Sequence, residues 1–393
     1  MGLLRTLTLG LAAAAIGVVA VDLATFDRAA WAADYGAIKR GMAAHYANLD
    51  WVVDQRKLDL VALDRRTAAR IDGARSHLQA FLALKDFAAA FGDPHLKLSP
   101  GREQIAAADL STDEPADPPA GENCEADGYV ADDMAFDPRM ASLPGWKPVA
   151  SGPFPAGLSG TVGVVRIASF GEDRYLAACE QSFTPGIGRR ALQLATRERL
   201  QRQLAATIAG LKSKGARTLL IDLTGNGGGS EWDREAAALF TPAAMTRAEP
   251  RLANAPCNRE SVWRGKRPCA VFAPVAGEIA RVDGTGQWRG PVAILADNAT
   301  GSAAEEFIGW LVDNKVARLI GTRTNGAGCG YVDGGAPVVL AAAPLTLRMP
   351  NCARYTAAGR NEIEGWDPDL PLAFPNTGEE PAWGKRLVAL VGG

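Results

Sequence analysis

The sequence predicts an α/β protein, a mainly parallel sheet wrapped by helices and preceded by a small helical domain. After Gly160 short apolar runs alternate with amphipathic helical stretches, whereas between Ala33 and Ala90 apolar residues recur three or four apart. The apolar runs are continuous rather than alternating, as in strands covered on both faces.

Along the chain, Tyr35, Ile38, Met42 and Tyr46, and then Leu78, Phe81, Leu82 and Phe87, mark helix faces, so residues 33–99 are expected to form the helical domain. Residues 100–160 lose this periodicity and gather Pro, Gly, Asp and Ala, as in 113-DEPADPPAGEN-123, which reads as an irregular linker or surface segment. The α/β core is expected over 161–393. Its strands fall at 162-VGVVRIASF-170, 217-RTLLIDL-223, 291-PVAILAD-297 and 316-VARLIG-321, and its helices run from Ala191 to Lys212 and from Ala303 to Asn314.

The first residues differ in texture. A short basic start, Met1 to Arg5, precedes an almost wholly apolar run from Thr6 to Val21, and Ala30-Trp31-Ala32 offers a small-x-small cleavage site. Residues 1–32 are therefore expected to be an export signal, with an uncleaved anchor as the alternative. Six cysteines agree with an oxidising, periplasmic or extracellular compartment, and Cys257 with Cys269 and Cys329 with Cys352 are the short-range pairings expected. None lies in a Cys-x-x-Cys pair and the chain holds three histidines, so no metal site is expected. With 42 basic against 44 acidic residues the net charge is −2, which gives no general attraction to nucleic acid.

Two segments carry chemistry. The glycine-rich 224-TGNGGGS-230 follows a strand, where α/β proteins place their sites, and its glycines let the backbone expose N–H groups. It lacks the Lys-Ser/Thr ending of a phosphate loop and the spacing of a dinucleotide fingerprint. Gly228, or its neighbour Gly227, is the expected donor to an oxyanion. The second segment, 298-NATGSAAEEF-307, sets Ser302 at the first turn of a helix. Ser302-Ala303-Ala304-Glu305 matches a capping box, and the same geometry puts a serine beside free N–H groups and a positive dipole, with the Ala303 N–H as a second oxyanion donor. Capping and catalysis are compatible.

Together 163-GVVRIASF-170, 221-IDLTGNGGG-229, 301-GSAAEEF-307, 313-DNKVARLIGTRTNGAG-328 and 364-EGWDPDLPL-372 resemble, in order, the serial motifs of tail-specific (C-terminal processing) proteases and tricorn-like serine peptidases. The resemblance implies a crotonase-like (ClpP-like) core, a Ser302 nucleophile, oxyanion donors at Ala303 and Gly228, peptide or protein substrates, and no cofactor. Bacterial processing proteases take their base from a Gly-Lys-Gly segment, where this chain has Gly326-Ala327-Gly328. Lys315 lies about 20 Å further along the helix axis than Ser302, out of reach. Tricorn-like members use a histidine placed before the core, which falls on His95 in 91-FGDPHLKL-98, and a carboxylate supporting it, which falls on Glu362 or, alternatively, Glu364. Pro94 stands where that pattern has a serine, and Asp93 is the alternative orienting group. The competing expectation is a catalytically silent module that binds peptide or an apolar ligand; an acyl-CoA enzyme on this fold conflicts with the export signal.

Overall fold

The computed structural model describes residues 22–101, 117–230, 232–273 and 278–392. The apolar part of the expected leader, up to Val21, lies outside the described residues. The chain divides into two compact units. One takes the described parts of 1–109, 250–276 and 330–353, the other those of 110–249, 277–329 and 354–393.

Among the described residues, the three longest helices of the first unit are α1 (Arg28–His45), α2 (Leu60–Asp72) and α3 (His77–Ala89). Each starts on a side-chain cap: Asp27 accepts from Ala29 and Ala30, Asp59 from Ala62, and Ser76 from Gln79. Trp31, Tyr35, Ile38 and Met42 of α1 are buried at helical spacing and pack with Leu63, Ile71, Leu84 and Phe87. Trp31 is fully buried and donates Nε1–H to His77 Nδ1 at 3.0 Å. The expected cleavage site, Ala30 to Ala32, thus lies inside α1, and processing after Ala32 would remove a core residue and the helix cap. The unit also takes residues 250–273 and 330–353, which the sequence reading assigns to the α/β core. Asp34 holds the second of these by accepting the N–H groups of Ala341 and Ala342, both at 2.9 Å.

The second unit holds a seven-stranded sheet: β1 (Lys147–Ala150), β2 (Ala156–Ser159), β3 (Val162–Arg166), β4 (Thr218–Asp222), β5 (Val292–Ala296), β6 (Ala317–Gly321) and β7 (Leu370–Pro371). The spatial order is β7-β6-β5-β4-β3-β2-β1. Strands β3 to β7 run parallel, and β2 and β1 add antiparallel at the edge. Helices α4 (Arg189–Ser213), α5 (Asp233–Ala238), α6 (Ala303–Asp313) and α7 (Glu380–Gly392) supply its cover. Leu219, Ile221, Ile294 and Ala296 pack with Leu200, Leu204 and Ile208 of α4 and with Phe307 and Leu311 of α6. Leu220, Ala293 and Leu295 pack instead with Trp383, Leu387 and Val391 of α7. Successive strand residues therefore feed opposite apolar layers, which is why the runs are continuous in sequence. The β1–β2 hairpin lies within the stretch read as irregular. Pro148, Gly152, Pro153 and Gly157 break its pattern, and a proline is tolerated on an edge strand, where a missing N–H breaks no ladder.

Disulfides join Cys124 to Cys179 and Cys257 to Cys269, the latter as the spacing suggested. Cys329 and Cys352 are disulfide-bonded as well, and no cysteine is free.

Candidate active site

Two loops leave adjacent parallel strands at their C-terminal ends, 223–230 after β4 and 297–302 after β5. They are laced together. Asp297 Oδ1 accepts Gly225 N–H at 3.0 Å, Thr300 Oγ1 donates to Leu223 O at 2.9 Å, and Gly301 N–H donates to Asn226 O at 2.9 Å. Asn226 is fully buried and fixes the glycine turn, with Nδ2 donating to Ile167 O and Oδ1 accepting Gly228 N–H, both at 2.9 Å.

Ser302 has φ 57° and ψ −121°, a conformation sparsely populated by any residue with a side chain. It forms the sharp turn between β5 and α6. Gly228, at φ 102°, packs against it so closely that a Cβ there would stand 2.6 Å from Ser302 Cβ and 2.7 Å from Ala303 N. Only glycine fits that approach. Of the expected donors, Gly228 and Ala303 thus lie against Ser302; Gly228 N–H is taken by Asn226, while the N–H groups of Gly227 and Ala303 have no partner among the described residues.

Glu305 does more than close a capping box. Its fully buried carboxylate accepts Ser302 N–H at 3.1 Å, Gly326 N–H at 2.9 Å, Ala327 N–H at 3.0 Å and Gly328 N–H at 3.1 Å, and also the Thr324 hydroxyl. Burial pushes its pKa up against the pull of these donors and of Arg354. Ala327, in the place of the lysine used by bacterial processing proteases, thus contributes a backbone donor to the loop that faces the serine turn.

Glu362 is fully buried on a short 3₁₀ turn, Glu362–Glu364, and accepts Arg354 Nε at 3.1 Å, with Arg247 Nη2 against its other oxygen. Arg354 also binds Glu306 and donates through Nη2 to Ser302 O and Gly328 O, each at 2.9 Å. Burial alone would raise Glu306, but Arg354, Arg234 and Arg247 hold it below the usual carboxylate range. Burial and the neighbouring Arg354 lower Arg247 to about 10, so it stays charged at neutral pH. Glu364 is half-buried. Sequence reasoning missed Arg247, Glu306 and Arg354, which come together from positions far apart in the chain and follow no local pattern.

His95 and Asp93 belong to the helical unit. Asp93 is buried, accepts His95 N–H at 3.0 Å through Oδ1, and takes Tyr46 Oη and Asn48 Nδ2 through Oδ2, both at 3.1 Å. Burial raises its pKa, while the neighbouring His95 charge and these hydrogen bonds lower it. The half-buried His95 ring lies edge-on to Tyr331 with centroids 5.3 Å apart, and Tyr331 Oη donates to His95 O. Gly330 leaves room for the imidazole, since a Cβ there would stand 2.7 Å from Nε2. Among the described residues no group of three or more His, Cys, Asp or Glu side chains is arranged to hold a metal ion.

Solved structures share this architecture. Mature CPAF complexed with lactacystin superposes with a TM-score of 0.64 at 14% identity, covering 92% of this chain and 97% of that one. A putative peptidase from Parabacteroides merdae superposes with a TM-score of 0.56 at 16% identity, covering 91% and 95%. At such identities the likeness establishes the fold. No relative is found among curated proteins. The sequence model of peptidase family S41 matches residues 161–372, more than half of the chain's 393 residues, and the protein belongs to that family.

Proposed function

We propose that the protein is an exported serine peptidase that hydrolyses peptide bonds through an acyl-enzyme, with Ser302 as nucleophile and His95 as general base. The observation that carries this reading is the Ser302 backbone, at φ 57° and ψ −121° on a strand–turn–helix, with Ala303 N–H free of a partner among the described residues. Strain of this kind is kept where the surrounding structure needs the side chain presented in one direction. In the proposed reaction Ser302 Oγ forms a bond to the scissile carbonyl carbon and its proton passes to the imidazole. The carbonyl oxygen, now negative, is held by the N–H groups of Ala303 and Gly227, since that of Gly228 is taken by Asn226. The C–N bond breaks as the imidazole returns the proton to the amine, and water repeats the sequence to free the acid. Glu362 and Asp93 are the carboxylates available on the two units, and Glu364 is the less buried alternative to Glu362. Disulfides support an oxidising compartment outside the cytoplasm. Purified protein is expected to cleave fluorophore-labelled casein, and Ser302→Ala to abolish cleavage while staying folded. A folded wild type that binds peptide without cleaving it supports the silent binding module instead.

A further inference from the structure

We infer that Arg354 is a positioning residue for the oxyanion donor at Ala303, acting through the peptide bond between Ser302 and Ala303; this rests on the reading of Ser302 as nucleophile. The guanidinium Nη2 donates at 2.9 Å to the Ser302 carbonyl oxygen and at 2.9 Å to that of Gly328. A peptide unit is rigid and planar, and in its trans form C=O and N–H point in opposite directions. A cation bound to the Ser302 oxygen therefore stands behind the Ala303 N–H. It fixes the plane and draws electron density toward the carbonyl, which makes the N–H a stronger donor.

The same oxygen accepts Glu305 N–H at 2.9 Å and Glu306 N–H at 3.1 Å, as the first turn of a helix supplies. Those donors are neutral. The charged contact is particular to Arg354, which is 6% exposed, so its field on the peptide is little screened by water.

The rest of the cluster holds the cation in place. Arg354 Nε donates to Glu362 Oε2 at 3.1 Å and Nη1 to Glu306 Oε2, while Arg247 meets Glu362 Oε1 and donates to Glu306 O at 3.0 Å. Glu362 and Glu306 thus face Arg354 directly, with Arg247 and Arg234 on their other oxygens, so the buried guanidinium is paired on both sides and not stranded as a lone ion. The planar fork reaches two carboxylates and two carbonyls at once, which the single ammonium of lysine does not. Glu362 thereby acts on the serine side of the site, as an anchor for Arg354.

The test compares wild type, Arg354→Gln and Arg354→Lys. Four readings are taken: the rate of fluorophosphonate labelling at Ser302, kcat and KM on labelled casein, inhibition by a peptide boronate whose tetrahedral adduct fills the oxyanion hole, and far-UV circular dichroism. In folded Arg354→Gln, labelling and kcat are expected to fall about 10- to 100-fold, with KM within about threefold and boronate affinity falling in step with kcat. Arg354→Lys is expected to lie between, at least about fivefold below wild type. A folded glutamine variant with wild-type rates, or a loss carried by KM alone, overturns the inference. Should the glutamine variant not fold, the lysine variant decides: a wild-type labelling rate overturns the inference and a slower one supports it. Wild type that does not label at Ser302 is a different result, which removes the nucleophile and, with it, the part given to Arg354.

Discussion

Glu305 accepts the backbone N–H of Ser302 at 3.1 Å, and the same carboxylate gathers the N–H groups of Gly326, Ala327 and Gly328. One buried side chain thus ties the serine turn to the loop after β6. A glutamine there exchanges an oxygen for an NH₂ that confronts at least two of these donors. Glu305→Gln is expected to cost about 3 kcal/mol in urea unfolding, since hydrogen bonds to a charged group are the stronger kind and unmade ones are expensive when buried. A loss below about 0.5 kcal/mol contradicts the role given to Glu305.

The strain at Ser302 has its own consequence. Glycine adopts φ 57° and ψ −121° without a Cβ penalty, so Ser302→Gly is expected to raise stability by about 1 kcal/mol while abolishing hydrolysis. Thermal unfolding and casein cleavage on the same preparation check both halves. A glycine variant less stable than wild type would mean that the serine's bonds outweigh its strain.

The secondary structure around these residues was legible from sequence, because buried parallel strands leave unbroken apolar runs and α6 opens on a recognisable cap. Ser302 was legible as a position. The interactions that hold it were not: Arg354, Arg247 and Glu306 approach one another across long separations, and a charged residue in sequence reads as surface until its partners are known. Ala30-Trp31-Ala32 carries two readings for a related reason. Small residues around an aromatic suit a signal cleavage site and equally suit a helix turn such as the one in which Trp31 is fully buried. A signal removed ahead of Asp27 is compatible with the described core.

Asp233 titrates in a direction that can be checked. It is fully buried at the start of α5, both carboxylate oxygens lack a hydrogen-bond partner among the described residues, and burial followed by the Glu306 charge raises its pKa well above normal, with Arg354 and Arg234 opposing. A raised folded value means that its contribution to stability is full below the unfolded value of about 3.9 and is lost as pH rises through the folded one. Asp233→Asn removes that dependence. From about pH 4 upward the variant is expected to gain on wild type by about 1.4 kcal/mol per pH unit until the folded value is passed. Urea midpoints from acid to neutral pH that run parallel for the two proteins refute this.

Two histidines of the helical unit separate structure from chemistry. His77 accepts Trp31 Nε1–H at 3.0 Å and lies edge-on to Phe26, so His77→Ala is expected to cost about 1–2 kcal/mol and leave turnover unchanged. His95→Ala is expected to lower kcat by about 100-fold or more, and to remove the rise in rate with pH that a histidine base gives, because only the neutral imidazole accepts the serine proton. Casein cleavage across pH for both variants checks this. A His95 variant with a normal rate and profile rules out His95 as the base.

The most direct measurement is reaction of the wild-type protein with a fluorophosphonate, followed by proteolysis and mass mapping of the adduct. A single adduct on Ser302, absent from Ser302→Ala, is the predicted result. No labelling of folded protein, or labelling that persists on another residue in Ser302→Ala, contradicts the account.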